Sequence, residues 1–136
     1  MLWGGGTVDA QDAQRLKSFS QISTAPPYVL GFEEPDCPRG SGSADMSVAE
    51  GVEKWESLMA PMKWKGAKLG SPSMCSGFPL FCNGQPTQET EFFYAEQLDE
   101  TWLVEFKKKA KTDWDFTAVH VNKNNLDGVK KVVVRI

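Results

Sequence analysis

Apolar and polar positions along this chain follow two alternating periods. Four short apolar runs read as strands: MLWG (1–4), YVLGF (28–32), AKLGSPSM (67–74) and WDFTAVHVN (114–122). The stretches between them are longer and amphipathic. In 9–22, Ala13, Leu16 and Phe19 fall at helical spacing, and APP ends the segment because a proline excludes helical geometry in its predecessor. Ser47 and Glu50 form a capping box that opens a helix bearing Val48, Val52, Trp55, Met59 and Met62 on one face. Pro61 interrupts that pattern and is expected to kink or shorten the helix, which Gly66 closes. A third helix is predicted over Leu98–Lys111, with Leu98, Trp102, Phe106 and Ala110 inward, and a fourth starts in NNLDGVKK.

Strand and helix in alternation at this spacing predict βαβ units and a parallel sheet, an α/β fold. Parallel strands covered on both faces should be nearly all apolar, and VLGF and FTAVHV fit that expectation. Functional residues of such folds lie at the C-terminal ends of the strands, where this chain places Glu33, Glu34, Ser71, His120 and Asn122.

Composition narrows the picture. The 136 residues suit one domain, and a net charge of −3 argues against a nucleic-acid or anionic-membrane partner, which would require a basic face. No apolar run reaches the ~18 residues of a membrane span. The start, MLWGGGTVDAQDA, lacks the basic and apolar regions of a signal peptide. With one histidine and three cysteines in no CxxC pair, neither a structural zinc site nor another metal or cofactor site is expected. Cys75 and Cys82 flank the SGFPLF loop; a bridge between them and ordinary free thiols are both open on spacing. GGG at 4–6 lacks the Gly-Lys-Ser/Thr ending of a phosphate loop, and FKKKAK reads as the solvated last turn of a helix.

The tandem acids of YVLGFEEPD hold the chemistry. They can be a polar loop set by Pro35. They can also be a general acid, since a carboxyl at a strand end beside a second acid is favoured to keep its proton near neutrality. VLGFEEPD, MSVAEGVEKWESLMAPMK, KLGSPSM, WLVEFKKKA and DFTAVHV together, in this order over nearly the whole chain, resemble glycoside hydrolase family 128, typically fungal endo-β-1,3-glucanases. The resemblance implies a (β/α)8 barrel, of which this chain would supply about strands three to six with their helices. It implies Glu34 as general acid/base. Glu33 then stands at a position where the family has an Asn that holds a sugar hydroxyl, His120 is the sixth-strand histidine, and Asn122 and Trp3 are further substrate-binding candidates. Trp3 is equally suited to plain packing.

The same resemblance implies β-1,3-glucan as partner, no cofactor, and an extracellular or cell-wall location. A retaining glycosidase needs a second carboxylate about 5–5.5 Å from the first, and the family's nucleophile stretch has no counterpart after Lys131, where the sequence reads VVVRI. The expectation is therefore an incomplete catalytic-core domain over 1–136, lacking the first two and last two barrel strands, inactive alone and prone to self-association through open barrel edges. Two alternatives stand beside it: a non-catalytic β-glucan-binding or wall-associated protein, and a gene-model remnant without independent function.

Overall fold

Asp9 begins the first helix by turning its carboxylate onto the N–H of Asp12, and α1 runs Ala10–Ser20. The structure is a computed structural model that describes residues 1–37, 42–75, 94–120 and 125–133. Its further elements are β1 (Tyr28–Val29), α2 (Val48–Lys54), a π-helical turn (Trp55–Met59), α3 (Ala60–Trp64), β2 (Lys68–Leu69), α4 (Tyr94–Lys109) and α5 (Leu126–Val133). Among the described residues, no helix is long and apolar enough to cross a membrane.

β1 and β2 pair in parallel, Tyr28 with Lys68 and Val29 with Leu69, and the same register reappears where Glu33 bridges Ser73. The expected outer strands are present as looser extended segments. Leu2 N–H donates to Leu30 O (3.1 Å) and Glu33 N–H to Trp3 O (2.9 Å), so the first segment advances in the same direction as β1. On the other side Phe116 bridges Gly70 in parallel. The described residues thus form an α/β arrangement of parallel segments in chain order.

Their apolar coverage differs from expectation. Val29, Phe32 and Leu69 are buried, whereas Tyr28 and Leu30 are 70% and 41% exposed and Val119 is 40% exposed. Helices cover one face of the described sheet, and on the other Tyr28 meets Phe116 edge-on. The side chains do not alternate strictly between the faces: Val29 and Phe32, three apart, are both buried in the core. The break falls at Gly31, whose missing Cβ would lie 2.8 Å from the nitrogen of Pro72. Pro72 has no N–H to donate at that step.

The covered face is an aromatic cluster. Phe106 of α4 is fully buried, stacks on Trp102 and Trp114, and meets Phe32 and Trp55 edge-on. Each buried indole finds an acceptor, Trp55 at Thr112 O and Trp102 at Met46 O, both at 2.7 Å. On α1, Phe19 is buried and Leu16 half-buried as expected, but Ala13 is exposed and Asp12 is buried instead, its carboxylate accepting from Val8 N–H. The Ser47 cap is present, its hydroxyl accepting from Glu50 N–H, and Trp55, Met59 and Met62 are buried behind it. Pro61 leaves its mark just upstream: the helix widens into the π turn, with Ala60 N–H donating to Trp55 O, which accommodates a proline that cannot continue the regular bonding. Gly66, at φ +98°, ends the run. α4 starts at Tyr94, earlier than the pattern of Leu98 indicated; the side chain of Leu98 lies outside the described residues.

Two acidic side chains place the last extended segment. Glu56 accepts from Lys111 N–H, Thr112 N–H and the Thr112 hydroxyl, which ties the exit of α4 to the π turn. Asp115 then accepts from Leu69 N–H at 2.9 Å while its own N–H donates to Leu69 O at 2.7 Å, and Lys63 and Lys68 lie 3.3 and 3.7 Å from its carboxylate. This carboxyl is held below its ordinary range, chiefly by the Leu69 N–H, against an opposing effect of burial and with help from Lys63 and Lys68. A depressed folded-state value contributes stability above the ordinary carboxylate range and loses it as the pH falls.

Asp115→Asn is therefore expected to lower the unfolding midpoint at pH 7, with the gap to the parent narrowing below about pH 4; thermal melts at several pH values measure it. Phe106→Ala should cost about 3–5 kcal/mol, read by urea denaturation, because it empties the centre of the cluster.

Candidate functional site

The parallel register delivers Glu33 and Glu34 to the end of the β1 segment, and the following residues lock them there. Glu34 N–H donates to Ser73 O (2.7 Å), Ala44 N–H to Glu33 O (2.9 Å) and Met46 N–H to Pro35 O (2.9 Å). The backbone of Glu34 is left-handed, with φ +44°. For a residue with a Cβ this costs about 1–2 kcal/mol, and such strain persists where the surroundings fix it, often at functional positions.

The side chains converge on one imidazole. His120 Nδ1 lies 3.0 Å from Glu34 Oε1, and His120 Nε2 lies 3.4 Å from Glu33 Oε2. Carboxylates only accept, so a doubly protonated ring satisfies both and a neutral ring donates to one. The imidazole also lies between two acids that would otherwise repel. The side chains of Glu34, Glu33 and His120 are 17%, 24% and 27% exposed, open enough to meet a ligand and covered enough to be fixed.

Ser43 completes the group. Its hydroxyl donates to Glu34 Oε2 at 2.8 Å, from a residue that is itself fully buried. Nothing in the 36–46 stretch singles it out, since the whole stretch reads as turn chemistry; only the pairing of 44–46 with 33–35 brings it over the carboxylate.

Of the other candidates, Trp3 joins Glu33 through the backbone, and the Arg15 guanidinium sits over its ring, 4.8 Å from the centroid. Ser71 does not belong to the site. It is fully buried, its hydroxyl donating to Pro72 O and accepting from Ala118 N–H, so it serves as a strand-to-strand tie. Asn122 lies outside the described residues. One oxygen each from Glu33 and Glu34 and one ring nitrogen of His120 fall within 4.8 Å of each other, a donor set with the reach to hold a cation. The two acids, however, face different nitrogens of the ring.

Cys75 is bridged to Cys37, with Cα atoms 5.9 Å apart, and so is neither paired with Cys82 nor a free thiol. The register explains the partner. Once Glu33 stands opposite Ser73, the residues just beyond each strand end meet. Cys82 lies outside the described residues.

Parallel segments that present acids and an imidazole beyond their C-terminal ends define an α/β protein with a strand-end site. A family model described as the glycosyl hydrolase catalytic core matches residues 1–136. The chain belongs to that family, and within it to glycoside hydrolase family 128.

Similar solved structures include a family 128 (subgroup VII) oligosaccharide-binding protein from Cryptococcus neoformans, 44% identical with TM-score 0.76, matched over 96% of this chain and 44% of that one. A subgroup VII oligosaccharide-binding protein from Trichoderma gamsii is 41% identical with TM-score 0.77, over 98% of this chain and 45% of that one. A subgroup II endo-β-1,3-glucanase from Sorangium cellulosum is 25% identical with TM-score 0.57, over 98% and 50%. This chain therefore spans less than half the length of the two subgroup VII proteins. No curated protein matches it.

The left-handed backbone of Glu34 yields a prediction. Glu34→Gly relieves that strain but forfeits two side-chain hydrogen bonds of about 1 kcal/mol each, so its melting temperature should stay within about 5 °C of the parent. Glu34→Val adds a β-branched side chain at positive φ and should melt clearly lower. Equal losses in both variants, measured by differential scanning calorimetry, would contradict the strain assignment.

Proposed function

We propose that this chain is a β-1,3-glucan oligosaccharide-binding protein in which Glu33, Glu34 and His120 contact the sugar, with Ser43 fixing Glu34. In this reading the domain over 1–136 corresponds to about half of a (β/α)8 barrel, its third to sixth strands, with the site at the strand ends. The single observation that carries binding over hydrolysis is the placement of the two acids. Glu33 and Glu34 are adjacent in sequence and share one imidazole. Retaining hydrolysis needs two carboxylates flanking the scissile bond, about 5–5.5 Å apart. Two acids on one turn approach a sugar from one side and suit acceptance of hydrogen bonds from its hydroxyls. The 44% and 41% identity to two oligosaccharide-binding proteins points the same way.

A second reading, hydrolysis of β-1,3-glucan with Glu34 as general acid/base, draws on the Gly31–Asp36 turn and on the glucanase among the similar structures. It requires a nucleophile from elsewhere. The Cys37–Cys75 bridge supports an oxidising compartment, and with it the proposed extracellular or cell-wall location.

Calorimetric titration with a β-1,3-linked glucose pentasaccharide, with chromatography of the mixture afterwards, tests the proposal. Saturable binding without shorter products is expected, and His120→Ala should weaken it about tenfold, equivalent to ~1.4 kcal/mol. Products that disappear with Glu34→Gln would establish the hydrolytic reading instead. Absence of binding would overturn both.

A further inference from the structure

We infer that the Cys37–Cys75 disulfide is a positioning element of the sugar site, holding the Glu34 turn in its binding geometry, so that opening the bond weakens oligosaccharide binding. The inference rests on the binding function proposed above, and three observations support it.

The bridge borders the carboxylate itself: the two Sγ atoms and one Glu34 carboxylate oxygen all lie within 4.8 Å of one another. It also closes a ring of hydrogen bonds around the turn. Cys37 N–H donates to Glu34 O at 3.1 Å, Glu34 N–H donates to Ser73 O at 2.7 Å, and Cys75 N–H donates to Asp36 Oδ1 at 2.9 Å. Segments 34–37 and 73–75 are thus joined by two hydrogen bonds and one covalent bond, the disulfide linking positions 38 residues apart in sequence.

Finally, Glu34 is left-handed at φ +44°. A strained residue keeps its conformation only while its surroundings over-determine it. The covalent bond is the one constraint here that thermal motion does not open.

Reduction changes two things together. Two electrons and two protons, supplied by a dithiol that closes to its own cyclic disulfide, convert the bridge to two thiols. The turn then depends on hydrogen bonds alone. The carboxylate, which accepts from Ser43 and contacts His120, also gains two S–H groups as neighbours.

The experiment uses the full chain in oxidised form, after reduction with dithiothreitol, and as two double variants, Cys37→Ser with Cys75→Ser and Cys37→Val with Cys75→Ala. The second variant replaces the sulfur volume with apolar groups and keeps a folded sample available. Three readouts are taken: far-UV circular dichroism, calorimetric affinity for the β-1,3-linked pentasaccharide, and the ring proton signal of His120, the sole histidine of the chain. The expected result is a folded protein that binds about tenfold more weakly and whose His120 signal has moved. A folded protein with a lower melting temperature but unchanged affinity and an unchanged His120 signal would overturn the inference and leave the bond a plain staple. If the oxidised chain binds no sugar, the proposed function fails. The His120 signal still decides whether the bridge positions the turn.

Discussion

The parallel register between β1 and the segment through β2 is the constraint on which the rest depends. It holds from Tyr28–Lys68 to Glu33–Ser73 across a step where Pro72 offers no N–H. Because the register survives that step, Phe32 stays in the aromatic cluster while the next two residues emerge at the strand end. A slip of one residue would exchange these faces, moving Phe32 out of the core and a carboxylate into it. The cost of burying an unpaired carboxylate makes that slip prohibitive.

Core and site are therefore coupled. Phe106 packs against Phe32 from behind, and the exit of α4 is clamped by Glu56, which sets the course of 114–120. Asp115 then fastens that segment to Leu69, and five residues later the chain reaches His120. The imidazole arrives at the two acids through this sequence of polar ties, with one ladder bridge among the described residues, at Phe116, between the segment and its neighbour. A site assembled in this way depends on charged and polar groups outside it as much as on the apolar core.

Much of this was legible in the chain. The Ser47 cap, the Gly66 stop, the face of Trp55, Met59 and Met62, and the strand-end position of Glu33, Glu34 and His120 follow from local rules of period, capping and turn chemistry. What escaped them was set by tertiary contact. Asp12 occupies an inward position that spacing assigned to Ala13, because its carboxylate serves Val8 N–H at the start of α1. Ser43 reaches Glu34 only through loop pairing. Cys37 finds Cys75 because two strand ends coincide in space, a relation with no sequence signature. The expectation of strands apolar on both faces failed at Tyr28 and Leu30, which helices leave uncovered among the described residues.

That Glu33, Glu34 and His120 form one sugar-contacting unit can be examined by following the His120 ring proton by nuclear magnetic resonance while a β-1,3-linked oligosaccharide is added. With a single histidine in the chain, the assignment is unambiguous. A sugar whose hydroxyls donate hydrogen bonds to the two acids must disturb the ring between them, so the signal should move and saturate with the sugar. A signal that stays fixed while the sugar demonstrably binds would place the binding site elsewhere on the molecule and contradict the assignment.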